Sequence, residues 1–480
     1  MANTITRRGA LLSMAGGLSA ARALAAPVQP NIVYILADDL GYGDLHCYNP
    51  ASKAPTPHLD RLAAQGVRFT DAHSPSSVCT PTRYGIMTGR YCWRSRLKKG
   101  VLNGYSPALI ERDRLTVPAL LKQHGYATAG VGKWHLGLGN EEKTDYSKSL
   151  RPGPLDYGFD SYFGIPASLD MPPYLWLEND RAAAQPTGHI DEVRRERGIF
   201  WREGAIAPGF KHEDVLPALT KRACDAIRSA QRPFFLYVPL SSPHTPWLPG
   251  PAFHNKSAAG PYGDFVTQTD DAIGQVLRAI DERHLSRDTL VIVTSDNGAH
   301  WLPEEIERWG HRANDGLRGQ KADAWEGGHR IPFLARWPGK IHPGTMVDET
   351  ICLTDLMATV ADLLHVPLPA DAGEDSFSIL PLLLGLDVGN PIREATIHHS
   401  SEGMFAIRQA AWKLVDGRGS GGFSEPKFYQ PKPGEPEGEL YHVLADQQEK
   451  NNLFLQRPEI ARQLKALLEK YKADGRSRPL

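Results

Sequence analysis

Cys79 stands in Cys79-Thr80-Pro81-Thr82-Arg83, which runs on into Tyr84-Gly85-Ile86-Met87-Thr88-Gly89-Arg90. The spacing predicts a loop that becomes a helix at Pro81, because proline lacks the N–H that goes unpaired at the first helical position. A thiol at such a place meets the partial positive charge of a helix N-terminus. Arg83 falls four residues on, about one turn along the same face. Two chemistries suit the position: a thiol of lowered pKa, or a site of covalent modification. A buried structural cysteine uses the same residue type, so Cys79 by itself decides nothing.

Other residues narrow the choice. Asp38 and Asp39 directly follow the apolar run Ile32-Val33-Tyr34-Ile35-Leu36, and Asp296-Asn297-Gly298 follows Leu290 to Thr294. Ligands of open α/β folds gather at the carboxyl ends of strands. Adjacent carboxylates repel unless a cation compensates, and three carboxylates with an amide oxygen suit calcium or magnesium rather than zinc. Each motif alone is ordinary turn chemistry; its recurrence after two buried strands favours a metal site. Lys133 and His135, in Gly132-Lys133-Trp134-His135-Leu136-Gly137, are two residues apart, so an extended loop would turn both side chains one way. His244 lies between Pro243 and Pro246, which stiffen its backbone. Lys321 precedes Trp325-Glu326-Gly327-Gly328, whose glycines suit a tight turn.

These residues need a frame. Asn31 to Leu36, Tyr126 to Val131, Phe234 to Val238 and Leu290 to Thr294 read as strands, the first being apolar throughout, as in a strand buried on both faces. Helical spacing marks Pro57 to Gln65, Thr116 to His124 and Phe265 to Ile280. Strands alternating with helices imply a largely parallel sheet covered on both sides, an α/β fold. Composition shifts near residue 370. Short strand-like pieces follow at Ala395 to His398, Met404 to Arg408 and Trp412 to Val415, then a Gly/Ser/Pro/Glu-rich surface excursion over 417–438 and a helix from Pro458 to Tyr471. The expectation is a domain over 28–372 and a smaller α+β domain over 373–480, its helix packed on a short antiparallel sheet.

The 480 residues, 41% of them apolar, exclude a disordered chain. Fifty-four basic against 55 acidic residues give a net charge of −1, without the basic excess of a nucleic-acid binder. No run of 18 apolar residues predicts a membrane span. Arg7-Arg8, the weakly apolar run from Gly9 to Ala21 and Ala23-Leu24-Ala25 read as an export signal over residues 1–25, resembling the twin-arginine type, with an ordinary secretory signal as the alternative because Ala10 stands where that motif has phenylalanine, and hence a periplasmic or secreted protein. Five cysteines without a CxxC pair give no zinc-finger or thioredoxin pattern; with Cys79 set aside, four leave room for zero to two disulfides.

The Cys79 segment resembles the signature of the type I sulfatases, Cys-x-Pro-x-Arg followed by Thr-Gly-Arg, with Thr82 where serine is commoner. The Gly132 to Gly137 segment and the acid pairs are similar to that family's, as are the Pro-His-x-Pro context of His244 and the Lys321 to Arg330 block. These matches run in family order from residue 31 to about 340. The resemblance implies an alkaline-phosphatase-like fold, with a large mixed, mostly parallel sheet between helices. It implies calcium held by Asp38, Asp39, Asp296 and Asn297, facing a formylglycine made from Cys79 by a formylglycine-generating enzyme. It implies active-site roles for Arg83, Lys133, His135, His244 and Lys321, and sulfate contact by Ser168 in Ile165-Pro166-Ala167-Ser168-Leu169-Asp170. The implied reaction is hydrolysis of a sulfate monoester of a carbohydrate or aryl alcohol. A phosphate or phosphonate ester hydrolase of the same superfamily is the alternative, and a non-catalytic binder of sulfated glycans a more distant one. His300, Trp301, Trp309, His311, Arg312, Tyr174 and Trp176 are candidates for lining the substrate pocket or for packing loops.

Overall fold

A computed structural model describes residues 29–480 apart from Glu196; the expected export signal lies outside the described residues. The first strand, β1 (Asn31–Asp38), is buried at every position. It pairs in parallel with β7 (Phe234–Pro243) on one side and β8 (Thr289–Ser295) on the other, with Ile32 opposite both Phe235 and Leu290. Both neighbours are also buried throughout. Fully burying a Val, Leu, Ile or Phe side chain contributes about 1.5–3 kcal/mol, so this centre is the most strongly driven part of the fold.

Outward from β7 run β3 (Ala127–Lys133) and β4 (Ser161–Ile165), both parallel, then the short antiparallel β5 (Leu177–Glu178) and β6 (Arg181–Ala182). Outward from β8 run β9 (Phe333–Arg336), antiparallel to β8, then β2 (Val67–Phe69), antiparallel to β9, and β10 (Thr345–Val347), parallel to β2. The result is one ten-stranded mixed sheet, mostly parallel at its centre. Helices α1 (Pro57–Gln65), α2 (Cys79–Thr88), α3 (Val117–Gln123), α4 (Val215–Ser229) and α5 (Gly260–Glu282) cover it. Glycine is required where the chains approach closely: a Cβ at Gly164 would lie 1.7 Å from the Gly132 carbonyl oxygen of the neighbouring strand.

A second sheet, β11 (Thr396–His399), β12 (Phe405–Gln409), β13 (Trp412–Val415) and β14 (Glu439–His442), is antiparallel. The terminal helix α6 (Pro458–Ala473) packs on β12 and β13 through a core that includes Ile397, Ile407, Leu414, Leu464 and Leu468. Ile379, Leu380, Leu382 and Leu383 join the larger core instead. β14 was not anticipated; four residues after a long loop carry too little periodicity to stand out. The excursion over 417–438 is not wholly at the surface: Ser420 is fully buried, and a Cβ at Gly422 would meet the Ala322 carbonyl oxygen at 2.3 Å. All five cysteines are unpaired thiols.

Candidate active site

The parallel strands deliver their C-terminal ends to one edge of the sheet. Asp38 ends β1, Lys133 ends β3, Ser168 follows β4, His244 follows β7, and Asp296 and Asn297 follow β8. α2 brings Cys79 to the same edge. The helix begins at Cys79, not at Pro81, with Val78 as its N-cap. Pro81 is therefore its third residue, still within the turn whose N–H groups lack helical partners.

Three carboxylates and three cations interlock here. Lys133 Nζ donates to Asp38 Oδ2 at 2.6 Å, Lys321 Nζ reaches Asp39 at 2.8 Å, and Arg83 donates to Asp296 Oδ2 through Nη2 at 2.7 Å and Nε at 3.1 Å. Burial alone would raise the Asp38 carboxyl, but Lys133, then His244 and Arg83, outweigh it and hold the group well below the usual range. Lys321 and His244 similarly lower Asp39 against its burial. Asp296 goes the other way: burial and then the Asp38 charge push it up to about 6 against the pull of Arg83.

The set has spare donors for a cation. Asp38, Asp39, Cys79 and His244 offer ligand atoms within 4.8 Å of one another. Asn297 Nδ2 donates to Asp39 Oδ1 at 2.7 Å, which leaves Asn297 Oδ1 buried without a hydrogen-bond partner among the described residues. An unpaired buried amide oxygen is costly, and beside carboxylates it suits a hard divalent cation. Asp39 itself has a left-handed backbone, φ 65°, an uncommon state for a residue with a side chain and one that collects at functional sites.

Cys79 Sγ lies 3.7 Å from Asp38 Oδ1. The thiol is not activated: burial pushes it up to about 12, Lys133 and Lys321 oppose, and Asp296 and Asp38 add to the rise. The helix N-terminus thus fails to make a reactive thiolate here, contrary to one of the two chemistries its position suggested.

The backbone from Lys133 to His135 is not the extended loop expected. His135 adopts a left-handed backbone, φ 55°, and its Nε2–H donates to the Leu102 carbonyl at 2.8 Å. That contact fixes the tautomer and leaves Nδ1 as a buried lone pair with no partner among the described residues. Burial, then Lys133 and Arg83, hold the ring well below its ordinary pKa, so it is neutral. Ser168 Oγ sits 3.1 Å from Lys133 Nζ and 3.3 Å from His244 Nε2, and His244 Nδ1 donates to the Thr245 carbonyl at 2.6 Å.

A pocket of about 540 Å³ opens over this floor, lined by Cys79, His135, Ser168, His244 and Lys321. Of the aromatic and basic candidates from sequence, only His300 lines it. Trp301 and His311 are packing residues: Trp301 Nε1 donates to the His311 carbonyl at 2.9 Å, and His311 Nε2 bonds Asp44 Oδ1 at 2.8 Å. Trp176 stacks on Phe163, and Tyr174 donates to the Arg202 carbonyl. Asp170, Phe200, Arg202, Glu402 and Phe423 line the pocket and were not foreseen. Asp170 was legible as the second residue after Ser168; the others come from distant loops of ordinary composition.

Comparison with known proteins places this edge in a family. A family model described as Sulfatase matches residues 30–366. An N-acetylgalactosamine-6-O-sulfatase of Bacteroides thetaiotaomicron is 37% identical over 92% of this chain and 93% of its own length. Human arylsulfatase A is 38% identical over 85% of this chain and 77% of its own. A solved structure described under metabolism of multiple glycosaminoglycans by Bacteroides thetaiotaomicron superposes with a TM-score of 0.82 and 35% identity, covering 93% of this chain and all of that one. The family match begins one residue before β1 and runs past Lys321, so it takes in both acid pairs and every strand end described above; the chain belongs to the type I sulfatase family and is a sulfatase.

Proposed function

We propose that the chain hydrolyses sulfate monoesters of carbohydrates, with a nucleophile derived from Cys79 and a calcium ion held by Asp38, Asp39, Asp296 and Asn297. The observation that carries this reading is the pocket in which Cys79, Lys321, His135 and His244 meet above a carboxylate floor, with Lys133 buried on Asp38 and the Asn297 amide oxygen unpaired among the described residues. Formylglycine would supply a hydrated aldehyde with two hydroxyls on one carbon, one to attack sulfur and one to restore the aldehyde. Calcium would supply positive charge for the sulfate oxygens.

The chain's own residues divide the remaining work. Lys133 and Lys321 set fixed positive charge where the sulfate's terminal oxygens gather charge as the ester bond breaks. Lys321 holds its proton tightly, because Asp39 and Cys79 raise its pKa more than burial lowers it; it serves charge better than proton transfer. His244 keeps Nδ1 on the Thr245 carbonyl and turns Nε2 toward Ser168, so Nε2 is the atom to protonate the departing alcohol oxygen. Asp296, held in place by two hydrogen bonds from Arg83, would be the carboxylate to take a proton from an attacking hydroxyl. His135 lines the same pocket as Cys79, and its Nδ1 is a lone pair without a partner among the described residues, suited to a second deprotonation.

The relative named for N-acetylgalactosamine-6-O-sulfate chemistry supports a sulfated amino sugar as substrate. Residues 1–25 are read as an export signal; among the described residues no helix is long and apolar enough to cross a membrane. The test is sulfate release over a panel of sulfated sugars, with 4-nitrophenyl sulfate and 4-nitrophenyl phosphate alongside. Release from a sulfated sugar above that from both aryl esters supports the reading. Faster phosphate than sulfate release overturns it.

A further inference from the structure

One carboxylate in the pocket is not used by the chemistry above. Asp170 lines it with a residue exposure of only 5%, and its Oδ1 is buried with no hydrogen-bond partner among the described residues. Its other oxygen is committed: Arg202 Nη1 donates to Oδ2. The backbone around it is also committed. The Asp170 carbonyl accepts from Arg202 N at 3.1 Å and from Arg202 Nη1 at 3.2 Å. A turn closed by Met171 N on the Ser168 carbonyl, 2.9 Å, ties Asp170 to Ser168. Asp170 is thus a rigidly held acceptor two residues from the serine that touches Lys133 and His244.

We propose that Asp170 is a specificity-determining residue whose Oδ1 accepts a hydrogen bond from a free hydroxyl of the sulfated sugar ring, with Arg202 fixing the carboxylate. The inference rests on the sulfatase reading of this pocket and names what the pocket recognises beyond the sulfate. A carboxylate accepts and does not donate, so its partner is a hydrogen-bond donor. Its negative charge disfavours a second sulfate or a uronate carboxyl at that point and favours a neutral hydroxyl. Leaving a buried acceptor unpaired costs free energy in the empty protein, and a substrate hydroxyl removes that cost on binding. The rest of the wall suits a sugar: Phe200, Phe423 and the neutral His300 ring, which lies 5.1 Å from that of Phe423, offer apolar faces, and burial keeps His300 down to about 3. Arg202 stands over Phe200 at 5.0 Å with its side chain about half exposed. Sites built to hold a substrate hydroxyl discriminate strongly against analogues that lack it.

The test compares two probes, N-acetylgalactosamine 6-sulfate, which carries ring hydroxyls, and 4-nitrophenyl sulfate, which carries none. The quantity read is the ratio of kcat/KM on the sugar to kcat/KM on the aryl ester. Asp170→Ala is expected to lower that ratio roughly 10- to 100-fold, the weight of a hydrogen bond to a charged group. Asp170→Asn, which keeps a carbonyl acceptor without the charge, is expected to fall between wild type and alanine; it carries the test if the alanine variant does not fold. An unchanged ratio in the folded variants, or wild-type turnover of the aryl ester alone, overturns the assignment of Asp170 and leaves the sulfatase reading standing. No wild-type turnover of either probe overturns the sulfatase reading itself, and the Asp170 assignment with it.

Discussion

Two buried clusters in this molecule are built from nearly the same side chains. One is the strand-edge site of Asp38, Asp39, Asp296, Arg83, Lys133, Lys321, His135 and His244. The other joins the segments around Asp71 and Glu326 to the small sheet: Asp71, His73, Glu326 and His329 face His398, Arg408, Lys413 and Glu449. Each contains a group of side chains spaced closely enough to hold a metal ion. The second, however, is almost wholly paired within itself; of its ring nitrogens only His398 Nε2 has no hydrogen-bond partner among the described residues. Lys413 Nζ donates to His329 Nε2 at 3.0 Å, so His329 Nδ1 carries the hydrogen and donates to His73 Nδ1 at 3.0 Å. His73 Nε2 then donates to Asp71 Oδ1 at 3.0 Å, which also accepts from Arg408 at 2.6 Å. A lysine that can only donate thus sets the tautomer of each ring along the chain. His398 stacks on His329 at 3.8 Å, and Lys413 also pairs with Glu326 and Glu449 at 3.0 and 2.9 Å. The spare Glu326 oxygen faces Arg330 and Arg408 at 3.7 and 3.9 Å. At the strand edge the spare atoms, Asn297 Oδ1 and His135 Nδ1, have no hydrogen-bond partner among the described residues, and His135 lines the open pocket. Residue type does not separate a site from a fastening; what separates them is lone pairs left over beside an open pocket.

The largest expected effect falls on the open cluster. Cys79→Ala should lower sulfate release by at least about 10⁴-fold, as when a nucleophile is deleted from a group that acts as a unit, with the melting temperature little changed. A rate within tenfold of wild type would put the nucleophile elsewhere. In the closed cluster, Lys413→Ala should instead cost stability, about 3–5 kcal/mol, because it strands Glu326 and Glu449 without their cation. Chemical denaturation reads that loss, and kcat of the folded variant should stay near wild type. A Lys413 variant that folds normally but loses turnover would make the second cluster part of the active site.

Asn297→Ala is a finer probe of the same contrast. It should raise the calcium concentration needed for half-maximal activity by about 10- to 100-fold, measured by titrating calcium back after chelation. Equal calcium dependence in wild type and variant would remove Asn297 from the ligand set. The smallest effect is on the pH dependence of stability. Burial holds His73, His329 and His398 below their ordinary pKa. Folded, they stay neutral where the unfolded chain takes protons, below about pH 6.5. Their contribution is complete above that pH and declines as pH falls through it. His398→Gln removes one of the three titrating groups and should flatten the slope of stability against pH between 6 and 5 by up to about 1.4 kcal/mol per pH unit. An unaltered slope would mean that His398 is already protonated in the fold.

Much of the strand edge was legible because its residues follow strands of unbroken apolar sequence. Asp38 and Asp296 are visible for that reason, and β1, β7 and β8 lie where the apolar runs put them, each longer by a few residues. Helix α1 spans Pro57–Gln65, the expected range, because proline and glycine punctuate both of its ends. Illegible features depend on contacts between distant segments. Trp301 and His311 carry the same residue types as a sugar-binding wall, and only their bonds to each other and to Asp44 show them to be packing. Arg202, Glu402 and Phe423 reach the pocket from separate loops, with no local pattern to mark them. The closed cluster joins residues more than 300 positions apart, as with Asp71 and Arg408, and no short-range signal carries that.

The central claim is that Cys79 supplies the nucleophile in modified form, since burial leaves its thiol near 12 and poorly ionised. The most direct test is the mass of the Cys79 peptide from protein actively releasing sulfate, made in a host that has the modifying enzyme. The account predicts a peptide lacking one sulfur and two hydrogens and gaining one oxygen, in a fraction that tracks specific activity across preparations. An unmodified thiol throughout fully active protein would contradict it.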